Sequence, residues 1–233
     1  MPTVELKVKM KHIGLIGGIG PAATDFYYRR IISAFAQKGA TLDLTIAHAD
    51  SPTLLANLAQ KAATSQIEIY QRLTDRLAKA GAASVAVTAI SGHFCIDAFK
   101  EVSPLPVNDM LQVVREAVAD AGYKNVGLLG TRTVMQSRLY GAIQSAKLVA
   151  PSQLDDVHDA YVGMAAAGRV TDTQRQVFLK AIDQMQRDEG VEAVMLAGTD
   201  LTLAFDDTFE GIPLIDCAAL HADAIVRDAT AGS

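Results

Sequence analysis

A glycine-punctuated apolar phrase occurs twice in this chain, as Ile13-Gly14-Leu15-Ile16-Gly17 and as Val126-Gly127-Leu128-Leu129-Gly130, 113 residues apart. Each copy is followed by a second short apolar run, Val85–Ala89 after the first and Val194–Gly198 after the second, at nearly the same interval. Runs of this kind are continuous in Val, Ile, Leu and Ala rather than alternating, as expected for strands covered by helices on both faces. Segments of helical period separate them, which argues for parallel sheets joined by right-handed crossovers. The expected fold is α/β, with two pseudosymmetric domains, each a parallel sheet flanked by helices, and a cleft between them. At 233 residues the chain suffices for two such units of about 110 residues.

Strands are expected at His12–Ile16, Leu42–Ala47, Ser84–Val87, Val107, Asn125–Leu129, Ala193–Leu196 and Pro213–Ile215. Helices are expected over Ala22–Gln37, Leu54–Ala80, Met110–Ala121, Val134–Ser145, Thr171–Asp188 and Ala218–Asp228. The boundary falls near Val107–Met110. A return crossing near Phe205–Pro213 assigns residues 1–109 and 214–233 to the first domain and 110–213 to the second.

Composition excludes several function classes. A net charge of −5 offers no basic surface for a nucleic-acid backbone. Met1–Lys11 has no apolar run long enough for a signal peptide or a membrane span. Two cysteines, Cys95 and Cys217, are too few for a disulfide framework and lack metal-ligand spacing. The expectation is a cytoplasmic protein with no metal, no nucleic-acid partner and no membrane partner.

In parallel sheets, ligands gather beyond the carboxyl ends of the strands. The turn Gly17-Gly18-Ile19-Gly20-Pro21 opens a helix, where glycines permit close backbone approach and free N–H groups favour an anion. Its spacing is not that of a dinucleotide-binding fingerprint; it suits a carboxylate, or it is simply a tight strand–helix turn. The other strand ends carry Asp50, then Ala89 with Ser91, His93 and Cys95, then Thr131 and Thr133, then Gly198, Thr199 and Asp200. The last strand ends at Asp216-Cys217, four residues before His221. Hydroxyls and backbone amides at such ends suit a small carboxylate, with Gly18, Ile19, Gly20, Asp50, Ala89, Ser91, Thr131, Thr133, Gly198 and Thr199 as candidate contacts. Cys95, Cys217, His93 and Asp200 are the candidate acids and bases. Each has a structural alternative: His93 as a helix cap, both cysteines as small buried groups, Asp216 as an N-cap. A helix N-terminus would otherwise lower the Cys217 pKa.

In order and spacing these phrases resemble the aspartate/glutamate racemase family over Lys11 to Val226. The resemblance rests on Ile13–Pro21, on Ala23-Thr24-Asp25-Phe26-Tyr27-Tyr28, on Leu128–Met135 and on Pro213–His221. It implies cofactor-free chemistry on a small amino acid and a homodimer. In such enzymes one thiolate removes the Cα proton and a thiol on the opposite face returns one, while preset donors stabilise the developing charge. The usual Cys-Asn-Thr-x-His phrase here reads Ala89-Ile90-Ser91-Gly92-His93, and the usual Gly-Cys-Thr-Glu reads Ala197-Gly198-Thr199-Asp200. Neither alanine nor glycine moves a proton. The cations that grip a side-chain carboxylate in acidic-substrate members correspond loosely to Asn57 and Asp156, so a small acid without a second charge fits better. Two readings follow. One is an isomerase or single-base enzyme working through displaced groups, Cys95 and Cys217 foremost. The other is a catalytically silent carboxylate-binding or regulatory relative.

Overall fold

The computed structural model describes residues 10–205 and 211–231. Eight strands are interspersed with nine α-helices along these residues. The first sheet is formed by β1 (Ile13–Gly17), β2 (Leu44–His48), β3 (Ser84–Val87) and β4 (Val107–Asn108), and the second by β5 (Asn125–Gly130), β6 (Lys147–Val149), β7 (Ala193–Ala197) and β8 (Leu214–Asp216). Their spatial orders are β2-β1-β3-β4 and β6-β5-β7-β8, the same arrangement twice. Every pairing is parallel. The doubled glycine phrase thus forms the corresponding inner strand of each sheet, paired with β3 in one and β7 in the other. All residues of β1, β3 and β7 are buried, which accounts for their unbroken apolar sequence.

The helices are α1 (Pro21–Gln37), α2 (Ser51–Ala59), α3 (Ala63–Lys79), α4 (Ile96–Val102), α5 (Met110–Ala121), α6 (Arg132–Gln136), α7 (Leu154–Ala167), α8 (Asp172–Glu189) and α9 (Cys217–Thr230). Helix α1 buries Ala23, Tyr27, Ile31 and Phe35 at successive i+4 steps. Helix α8 starts on a capping box between Thr171 and Gln174 and ends at left-handed Gly190.

Four sequence expectations change. The segment Leu54–Ala80 is two helices, broken where Lys61 takes a φ of 54°. The segment Val134–Ser145 is not helical throughout: α6 stops at Gln136, and Arg138, Leu139, Tyr140 and Gly141 all take positive φ. Strand β6 and helix α7 were not anticipated. Strand β8, expected in the first domain, instead completes the second sheet, with Leu196 opposite Asp216. Helix α9 does cross back to the first half: it packs on α1, to which Arg30 and Asp223 join it at 2.8 Å, and it also packs on α5. The strand follows its ladder hydrogen bonds and the helix its apolar face. The return segment expected at Phe205–Pro213 lies partly outside the described residues, as does the stretch before residue 10.

Candidate active-site cleft

The carboxyl ends of the inner strands approach one another. Beyond β1 the chain turns through Gly18–Gly20 into α1, whose N-cap Gly20 has no side chain to receive the first N–H groups. That role is filled from the other half. Asp200, in the 3₁₀ turn Thr199–Leu203 after β7, accepts the Ala23 N–H on Oδ1 at 3.0 Å. A β-carbon on Gly20 would lie 2.8 Å from Asp200 Oδ2, so glycine there permits the approach. Tyr161, on α7, donates its hydroxyl to Asp200 Oδ2 at 3.0 Å. Behind the turn, Thr24 Oγ1 accepts the Gly18 N–H at 2.8 Å and donates to the Gly20 carbonyl at 3.0 Å. Ser51 Oγ donates to the Ile19 carbonyl at 2.7 Å. The phosphate-type anion position at this helix start is therefore occupied by the protein's own carboxylate.

Asp200 is only 3% exposed. Burial pushes its pKa up, against the opposing effects of the Tyr161 hydroxyl and the Ala23 N–H. The Tyr161 phenol is pushed well above its ordinary value by burial and then by the Asp200 charge. At neutral pH this pair is a phenol donating to a carboxylate whose proton affinity is raised.

The two strand-end positions that lack a reactive side chain are also filled differently. Ala89 is buried at the end of the β3 segment. A β-carbon on Gly198 would fall 2.4 Å from Tyr161 Cε2, so the tyrosine ring occupies the space of any side chain at that position. A second contact between the halves runs from the Tyr140 hydroxyl to the Ser91 carbonyl at 3.4 Å.

Of the residues chosen from sequence, the structure gathers Gly18, Ile19, Gly20, Gly198, Thr199 and Asp200 around this junction. Ala89 and Ser91 close the first-half side of the strand ends. Thr131 is buried and accepts the Val134 N–H as N-cap of α6, while Thr133 is exposed. Asp50 is exposed and caps α2 through the Thr53 N–H at 2.9 Å; the Thr53 hydroxyl first, and then this N–H, hold its carboxyl below the usual range.

The proposed thiols fare worse. Cys217 is completely buried at the first turn of α9, where burial and the Asp216 charge raise its pKa well above the ordinary value. The helix terminus that would favour its thiolate is outweighed by desolvation. Cys95 is 5% exposed, its Sγ directed at the Gly92 carbonyl 4.0 Å away, and burial pushes it up to about 12. Neither supplies a thiolate at neutral pH. His93 is committed on both nitrogens: Nδ1 lies 2.9 Å from the Ala89 carbonyl, so it carries the proton, and Nε2 accepts the Met110 N–H at 3.4 Å. Burial lowers its pKa. His221 packs edge-on against it and is held neutral likewise, Nε2 donating to the Asn108 carbonyl and Nδ1 accepting from Tyr27. Asp216 is the N-cap of α9, bound by the Ala219 N–H at 2.9 Å.

Tyr161, Thr24 and Tyr140 were not singled out from sequence. The recurrence of Leu154, Val157, Tyr161 and Met164 is a helical stripe that could have revealed α7, but nothing local ties Tyr161 to Gly198. Among the described residues no cluster of three or more His, Cys, Asp or Glu could hold a metal, and no helix is long and apolar enough to cross a membrane.

Among solved structures, the chain superposes on an aspartate racemase homologue from Pyrococcus horikoshii with a TM-score of 0.79 at 24% identity, covering 95% of this chain and 100% of that one. A putative Asp/Glu racemase from Yersinia pestis gives 0.78 at 24% identity, with coverages of 94% and 99%. Glutamate racemase from Francisella tularensis, in complex with D-glutamate, gives 0.66 at 13% identity, with coverages of 93% and 80%. At these identities the likeness establishes the fold, two parallel four-stranded sheets flanked by helices. The Asp/Glu/Hydantoin racemase family model matches residues 16–225, nearly the whole length of both halves. The chain belongs to the Asp/Glu/Hydantoin racemase family.

Proposed function

We propose that this protein acts on a small amino or carboxylic acid in the cleft between its two sheets, by one-base chemistry centred on Asp200 rather than by exchange between two thiols. The observation that carries this reading is the position of the Asp200 carboxylate, set between the first turn of α1 and the Tyr161 hydroxyl at the end of β7. A carboxylate with raised proton affinity accepts a proton near neutral pH more readily than an ordinary one. Tyr161 and the α1 N–H groups are the donors available to stabilise negative charge developing on a substrate carboxylate. For Asp200 to reach a substrate, the bond to Ala23 must give way, so a ligand carboxylate exchanges places with Asp200 at the helix start. A single base suffices for elimination, decarboxylation, or isomerisation through an intermediate reprotonated by the same group. Asn57 donates to Gln66 Oε1, and Asp156 is exposed and acidic. Neither offers a cation for a second carboxylate, which favours a monocarboxylic substrate.

The test is incubation of purified protein in deuterium oxide with a panel of amino and hydroxy acids, read by mass and by loss of substrate. Turnover or Cα exchange for a monocarboxylate, abolished by Asp200→Asn, is expected. Tyr161 supports a second reading, a silent carboxylate-binding relative, because its ring fills the space beside Gly198. Ligand-dependent thermal stabilisation without exchange or product for any acid would decide for it. A homodimer and a cytoplasmic location complete the proposal; sedimentation of the purified protein tests the first.

A further inference from the structure

We infer a second ligand site, separate from the cleft and independent of its reading: a pocket for a small monocarboxylate with an apolar body, held by Arg115. A cavity of about 580 Å³ lies where the 3₁₀ turn Ile90–Cys95, α4 and α5 meet the turn after α6. That volume is in the range of small-molecule sites, and junctions between structural halves are where such sites recur. Ala89, Gly198, Thr199 and Asp200 are not among its walls. Phe94, Ile96 and Leu111 provide apolar surface; Arg115 and Tyr140 are polar groups on its wall, together with Asp97, Asp109, Gln144 and the buried His93 and Cys95.

Two features mark this cavity as more than a packing gap. The first is charge. Its buried carboxylate, Asp109, is compensated by Lys100 at 2.8 Å, while Asp97, 3.5 Å from the same lysine, is 92% exposed and solvated. Asp109 also accepts the Leu111 N–H at 2.9 Å. Arg115 is exposed on α5, and no ion pair among the described residues includes it. A guanidinium fork at the edge of an apolar cavity matches a carboxylate in charge and geometry. The second feature is backbone conformation. Arg138, Leu139 and Tyr140 take φ of 49°, 55° and 56° in succession, a left-handed run that L-residues adopt rarely. Leu139 is driven into the core, and Tyr140 is brought to the cavity wall with its hydroxyl on the Ser91 carbonyl. Three consecutive non-glycine residues held this way indicate a shape maintained for a purpose at this wall.

The experiment is calorimetric titration and thermal shift of the full chain with phenylacetate and 4-methylpentanoate, with the corresponding neutral amides as controls. Saturable binding of the acids is expected, with little binding of the amides. Arg115→Gln, on an exposed helix face, should weaken the acids by about tenfold or more. Ala98→Leu, which fills the cavity from the exposed side of α4, should remove binding with the fold intact by circular dichroism. Asp200→Asn should leave phenylacetate binding unchanged, which separates this site from the cleft. The inference is overturned if neither acid binds, if Arg115→Gln binds as tightly as the wild type, or if Asp200→Asn alone abolishes binding.

Discussion

The Tyr161 ring beside Gly198 accounts at the residue scale for how this chain differs from a two-thiol enzyme. A side chain at 198 must displace a buried aromatic ring from a packed interior. Gly198→Ala is expected to lower stability by about 1–3 kcal/mol, read as a lower urea midpoint at constant slope, and Gly198→Cys should create no racemase. Tyr161→Phe removes the donor to a buried carboxylate and should cost about 1–3 kcal/mol. The buried histidines set the pH dependence. His221 is lowered to about 3 by burial and by neighbouring His93, which is itself lowered. The unfolded chain takes up protons on both histidines below about pH 6.5 while the folded protein does not. Stability is therefore full above that pH and falls as pH drops, by up to about 1.4 kcal/mol per unit for each histidine. Asp200 and Asp216, raised by burial, act in the opposite sense, starting where each carboxyl protonates in the folded protein, above its unfolded value. Urea midpoints at pH 7.5 and 5.5 check this; His221→Gln should flatten the difference.

Among the elements, α1 has a start that depends on a residue from the other half of the chain. Asp200→Ala removes the acceptor for Ala23 and should cost about 1–2 kcal/mol, whereas Asp200→Asn, itself a good cap, should cost less. The left-handed turn after α6 makes a contrasting prediction. Arg138 is exposed with φ 49°, and Arg138→Gly relieves a conformation that glycine accepts freely. A gain of up to about 1 kcal/mol in thermal unfolding is expected. The elements also show what the sequence could and could not convey. Strands β1, β3, β5 and β7 were legible because burial on both faces leaves continuous apolar runs. Strand β6 was not: Lys147-Leu148-Val149 opens on an exposed lysine and leaves only two buried apolar residues as a signal. The partner of β8 was misjudged because Leu214–Asp216 carries no local sign of which sheet it joins. Asp200 was legible as a polar strand end. Its role as a cap for α1 was not, since it depends on a contact 177 residues away.

At the scale of the whole molecule, the repeated strand order produces two sets of strand ends that meet, and the halves are fastened there by Asp200 with Ala23 and by Tyr140 with Ser91. On the proposed function, a cleft closed by its own carboxylate must open for a substrate, which couples ligand binding to domain movement: a ligand must bind the open form better to shift the balance. The chemistry that the family places on thiols is assigned here to one carboxylate, while both thiols are interior groups. The most direct test is the Cys95→Ser/Cys217→Ser double variant beside Asp200→Asn, each assayed for deuterium exchange and turnover of monocarboxylic acids. The account predicts that the cysteine-free protein keeps wild-type activity and that Asp200→Asn loses it. Loss of activity on removing the thiols, retention in Asp200→Asn, or no activity in the wild type would contradict it.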